Sequence, residues 1–161
     1  MRRADLGLMF VGVLALVLTM SETASADDAK NEEVRKYHKQ IEGTWRIVTL
    51  VINGNKSADE DARKLTVVNG PDGKWSLRSE GNEIVRGTTS IDPAKNPKAI
   101  DIKPTTGGDQ GKKYLGIYEL QENTRKLCFA PAGTKRPTEF MSTPDDGSIL
   151  VEFKRVKPKS E

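Results

Sequence analysis

Gly43-Thr44-Trp45-Arg46-Ile47-Val48-Thr49-Leu50-Val51-Ile52-Asn53-Gly54 decides how the chain is read. Trp45 to Ile52 is dense in β-branched and aromatic residues, which suit a pleated, half-buried strand. Asn53-Gly54 closes it with the dipeptide that most strongly signals a two-residue hairpin turn. Upstream, residues 27–42 are highly charged, and Val34, Tyr37 and Ile41 recur three and four apart. That spacing predicts a short amphipathic helix whose apolar stripe packs across one end of the domain.

Downstream the pattern is strand and turn, repeated. Ala58 to Lys64 reads as a helical turn. Leu65 to Val68 is a strand, stopped by Asn69-Gly70-Pro71-Asp72-Gly73. Lys74 to Arg78 alternates and turns at Glu80-Gly81-Asn82. Glu83 to Ile91 ends at Asp92-Pro93, where proline removes an amide donor. Lys98 to Ile102, Tyr114 to Leu120, Lys126 to Ala130, Thr138 to Met141 and Ile149 to Val156 follow, with a polar, glycine-rich loop over 105–112. About eight short, regularly spaced strands predict an all-β barrel or sandwich. No helix is long enough for a parallel crossover, so the sheet is expected to be antiparallel. Gly116, inside a strand, predicts a bend or a close backbone approach.

The first residues read as a secretory signal. Arg2 and Arg3 precede an uncharged apolar run from Leu6 to Met20, and Ala24-Ser25-Ala26 is a small-x-small cleavage site. The expected division is a signal peptide over 1–26, a helical lead-in over 27–42 and a β-domain over 43–157. Export to the periplasm or beyond the cell follows, with no stable membrane insertion after cleavage. About 135 residues then remain, enough for one domain with its own core.

The 161-residue chain carries a net charge of +3, and the stretch after residue 26 keeps it. Lysine and arginine are interspersed with acidic residues instead of gathered with aromatics, so a nucleic-acid partner is not expected. Cys128 is the single cysteine, so no internal disulfide can form, and Leu127-Cys128-Phe129 reads as buried core. His38 is the one histidine and reads as a surface residue of the lead-in helix. No nucleophile elbow, zinc set or calcium loop is present, and Gly107 to Lys113 misses phosphate-loop spacing by one residue. Neither a metal nor a cofactor is therefore expected, and the protein is not read as an enzyme. Asn55-Lys56-Ser57 matches the glycosylation sequon. Asp101, Glu119 and Glu139 lie in predicted strands and are the carboxylates that a hydrolytic site would need to bring together.

Five stretches in order carry a resemblance. They are Gly43-Thr44-Trp45-Arg46-Ile47-Val48 with Asn53-Gly54, Ile91-Asp92-Pro93 through Ile100-Asp101, Leu115 to Leu120, Leu127 to Pro131, and Arg136 to Phe140. Across about 40–155 the chain resembles the lipocalin-like domain family expanded in planctomycetes. The resemblance implies a lipocalin-like β-barrel and an exported setting, and no assigned function. Gly43 would allow a tight turn into the first strand, and Trp45 would close the barrel floor. In the wider lipocalin pattern a late basic residue stacks on that tryptophan; Arg155, near the end of the last strand, is the best match here, with Lys154 as the competitor.

The expected function is binding of a small apolar or amphipathic molecule by a monomeric barrel. Tyr114, Tyr118, Arg136, Glu139 and Phe140 are the candidate lining residues. The aromatics would supply contact area, and the charged pair orientation. Which strand face is interior stays open, because several strands are apolar on both faces. The alternative is an extracytoplasmic interaction module whose interior is filled by its own side chains.

Overall fold

The computed structural model describes residues 25–158. The expected signal segment falls outside them, except for Ser25 and Ala26. Ser25 is the N-cap of helix α1 (Ala26–Ile41), and its hydroxyl accepts a hydrogen bond from the Asp28 amide at 3.3 Å. Asp27 and Asp28 in the first turn and His38 and Lys39 in the last match the helix dipole. The predicted stripe is the packed face: Tyr37 and Ile41 are buried, and Val34 packs beside them.

Strands β1 (Gly43–Ile52), β2 (Asn55–Lys56), β3 (Leu65–Asn69), β4 (Lys74–Ser79), β5 (Asn82–Asp92), β6 (Ala99–Pro104), β7 (Tyr114–Leu120), β8 (Thr124–Phe129) and β9 (Ile149–Arg155) are joined antiparallel throughout. A five-residue helix, α2 (Asp59–Arg63), links β2 to β3. The ladder runs from β1 through β3 to β9 in order, and β9 returns to β1. Eight strands therefore close a barrel, and the two-residue β2 is only the second arm of the Asn53-Gly54 hairpin. Both turn residues have positive φ, 51° and 75°, as a two-residue hairpin loop requires. Closure leaves no long unpaired edge.

The register decides the interior face. Trp45, Ile47, Leu50 and Ile52 of β1 stand opposite Arg155, Phe153, Val151 and Ile149 of β9. Leu127 stands opposite Val151 and Tyr118, and Ile100 opposite Ile91 and Gly116. Trp45, Ile47, Ile91, Ile100, Tyr118, Leu127, Val151 and Phe153 are buried core, with Leu50 and Ile149 packed against them. The interior of β7 is thus the Tyr114, Gly116, Tyr118 face. A β-carbon on Gly116 would run into the Phe129 ring and fall 2.6 Å from the Cys128 carbonyl oxygen, which is the close approach that the isolated strand glycine predicted.

Two expectations are corrected here. Thr138 to Met141 is not a strand; it belongs to a loop from Ala130 to Ser148 that is laid over the outside of the barrel. Asp146 organises that loop, accepting from the amides and hydroxyls of Thr143 and Ser148 at 2.6–2.8 Å. Asn53 ties it to the β1–β2 turn by accepting from the Gly147 amide at 2.9 Å. His38 is not a surface residue. It is buried, with its ring against the β3–β4 turn at Gly73, because α1 packs across this end of the barrel.

Candidate functional site: an apolar cavity with a buried guanidinium

The barrel is shut at one end and open at the other. At the shut end Trp45 is fully buried, and its indole N–H donates to the Ile41 carbonyl at 2.7 Å. Arg155 lies over the ring, with its guanidinium carbon 4.3 Å from the centroid. The same guanidinium donates to the carbonyls of Gln40, Glu42 and Glu122, so it joins α1 to the β7–β8 turn. Gly43, at φ +102°, makes the turn from helix into β1. Tyr37 of α1 packs against Tyr118, with ring centroids 4.7 Å apart and the planes inclined at 57°.

Above this floor is a cavity of about 360 Å³. Its wall is almost entirely carbon, contributed by side chains such as Leu50, Leu65, Val67, Leu77, Ile102 and Val151. Ile52 and Ile84 also line it and are 45% and 53% exposed, which marks the mouth. Ile84 is there because of a bulge. Leu77 pairs with Val85 and Arg78 with Glu83, so Ile84 is the unpaired extra residue. Bulges at barrel rims re-aim side chains in this way.

Polar groups enter the cavity at its deep side. Arg125 of β8 shares the inward face with Leu127 and Phe129 and is 4% exposed. Its guanidinium carbon lies 5.5 Å from the Phe153 ring centroid and 5.9 Å from that of Tyr37. Its charge also acts on the groups around it. Burial, followed by the nearby Arg125 charge, holds His38 below its ordinary value of 6.5, against a weaker pull from Asp72. Burial raises the Tyr37 phenol, partly offset by Arg125. Burial also raises Tyr118, so both tyrosines stay neutral in the physiological range.

The candidate lining residues separate into two groups. Tyr114 and Tyr118 face inward, but Tyr118 is spent on the helix contact. Tyr114 is half-buried beside Asp109, and neither residue lines the cavity. Arg136, Glu139 and Phe140 lie in the outer loop and do not line it, which corrects their expected place. Arg136 forms an ion pair at 2.6 Å with Asp101, whose side chain alternates with inward Ile100 and Ile102 and so points out. Arg136 Nη1 donates to the Ile100 and Gly116 carbonyls at 3.1 and 2.7 Å, so its attraction to Asp101 is Coulombic and not an aligned hydrogen bond. Burial alone would raise the Asp101 carboxyl, but Arg136 and Lys113 outweigh it and hold it below 3.8. Glu139 is exposed, and Phe140 is half-buried under Lys126. Glu119 is exposed on the outer face of β7, away from the cavity. Under the outer loop, Cys128 is buried, with its thiol donating to the Met141 carbonyl at 3.3 Å.

Sequence reasoning did not single out Arg125. The signal was present, since Arg125, Leu127 and Phe129 alternate. It was masked because Cys128 and Ala130 make the opposite face equally apolar.

Fold and cavity define the class: a closed eight-stranded antiparallel barrel, plugged by a helix at one end, with an apolar interior space. Comparisons with family profiles, characterised proteins and solved structures found no match to this chain.

Proposed function

We propose that this is an exported lipocalin-like protein that binds a small, partly apolar molecule inside the barrel. One observation carries the reading: about 360 Å³ of carbon-walled space that opens between Ile52 and Ile84. Eight-stranded barrels are just wide enough to be filled by their own side chains or to hold one small ligand. The cavity falls within the roughly 300–1,000 Å³ used by small-molecule sites. Apolar surface that faces a space instead of a partner has stabilisation in reserve for a guest. The resemblance to the planctomycete lipocalin-like family supports the barrel class. The charged start, apolar run and cleavage motif of residues 1–26 support export. The interaction-module reading called for a filled interior, and the cavity weighs against it.

The test is native mass spectrometry of the full chain produced in an exporting host and purified gently, together with titration of an uncharged, apolar fluorescent probe. A reproducible added mass, or saturable one-to-one probe binding that Val85→Phe weakens, is expected. A clean apo mass with no saturable binding, and no thermal shift against a panel of lipids and metabolites, would overturn the proposal.

A further inference from the structure

Arg125 is a cation deep in an apolar cavity, 4% exposed, with no hydrogen-bond partner for Nε or Nη1. It forms no ion pair among the described residues. The rings of Tyr37 and Phe153 attract the guanidinium, and the neutral Tyr37 hydroxyl lies close to it, but none of these supplies a counter-charge. A buried charge without a counter-charge is a strongly destabilising feature.

A second set of groups points the same way. Asn69 and Trp75, cross-strand partners flanking the β3–β4 turn at the helix-covered end, both line the cavity. Asn69 Nδ2 and Trp75 Nε1 are buried and unpartnered. Every one of these groups can donate a hydrogen bond. The floor therefore offers donors and one positive charge, and the wall above it offers carbon.

Resting on the ligand-binding reading above, we infer that the cavity takes an amphiphile with a single carboxylate, head inward against Arg125 and chain toward the mouth at Ile52 and Ile84. A carboxylate matches a guanidinium in shape and accepts its N–H groups in charge-assisted bonds. One cation calls for one anion. A phosphate dianion would bring a second buried charge with nothing to meet it, and an ester or alcohol would leave the guanidinium uncompensated. The cavity is at the small end of the ligand-site range, so a medium-length chain suits it better than a long one.

Decanoate and decanol, which share a chain and differ in the head, are the probes. Their affinities for the purified full chain are measured by displacement of the fluorescent probe and by calorimetry. Decanoate is expected to bind at least tenfold more tightly than decanol. Arg125→Met should abolish that preference while leaving decanol binding in place. It should also keep or raise the unfolding temperature, because a buried unpaired charge is replaced by an apolar side chain of similar length. Equal affinity of the two probes for the wild type would overturn the carboxylate assignment and leave the ligand-binding reading standing. Failure of both to bind would overturn both. The wild-type comparison needs no variant, so it decides the matter even if Arg125→Met does not fold.

Discussion

The guanidinium of Arg155 lies 4.3 Å from the centre of the Trp45 ring, and the two residues are cross-strand partners where β9 closes on β1. The contact joins the last strand to the first. Through its hydrogen bonds to the Gln40, Glu42 and Glu122 carbonyls, Arg155 also fastens the helix that plugs the barrel. Lys154, the other basic residue near the end of β9, is exposed and stands opposite Arg46, so it cannot take this place. A cation–π contact contributes about 0.5–2 kcal/mol, and a hydrogen bond from a charged donor about 1.5–3, not additively. Arg155→Ala should therefore cost about 2–4 kcal/mol in urea unfolding, with Lys154→Ala close to neutral. Equal effects of the two substitutions would show that the lid does not matter.

Gly116 is where β7 passes under Phe129. An added methyl would meet both a ring and a backbone carbonyl, and the carbonyl cannot swing aside as a side-chain end could. Overpacking of this kind costs about 1–3 kcal/mol. Gly116→Ala is expected to lower the denaturation midpoint by that amount, and Gly116→Ala with Phe129→Leu should recover part of it. No recovery in the double variant would mean that the Cys128 carbonyl, and not the ring, sets the limit.

His38 supplies a pH signature. Its folded value is held below 6.5 by burial first and by Arg125 second, so below pH 6.5 the unfolded chain binds a proton that the folded chain resists. Stability from this group is complete above pH 6.5 and is lost as pH falls through its lowered folded value. His38 is the single histidine, and the carboxylates with shifted values titrate lower still. Unfolding free energy should therefore decline from pH 6.5 downward, and His38→Gln should flatten that decline. An unchanged slope in the variant would place its origin elsewhere.

Arg136 separates the outer loop from the cavity. Its removal strips Asp101 of one of two cations and takes a side-chain hydrogen bond from each of the Ile100 and Gly116 carbonyls. A cost of about 1–3 kcal/mol is expected for these half-buried contacts. Loosening of the loop over Cys128 should speed its modification by a thiol reagent at least tenfold in Arg136→Ala. Binding of the apolar probe should stay within twofold, because Arg136 lines none of the cavity. Loss of probe binding in a variant that remains folded would instead tie the loop to the site.

Strand and turn positions were legible in the chain because their causes are local. Asn53-Gly54 and Glu80-Gly81 adopt positive φ at both turn residues, and β-branched runs lie between them, so the hairpins are written in neighbouring residues. Val34, Tyr37 and Ile41 announced the helix face by spacing alone. Thr138 to Met141 misled because a short run between turn residues is a local signal, whereas pairing is not: among the described residues, each of the eight barrel strands already has a partner on both sides once β9 has closed on β1.

The sequence by itself determined the hairpin sequence, the antiparallel all-β class and the amphipathic lead-in, since backbone sterics and side-chain periodicity act over a few residues. Only the tertiary structure decided which face of each strand looks inward. That choice comes from ring closure and register, which relate residues as distant as Trp45 and Arg155. It sent Tyr118 to the helix and Arg136 to the outer surface, and it brought Arg125 into the cavity.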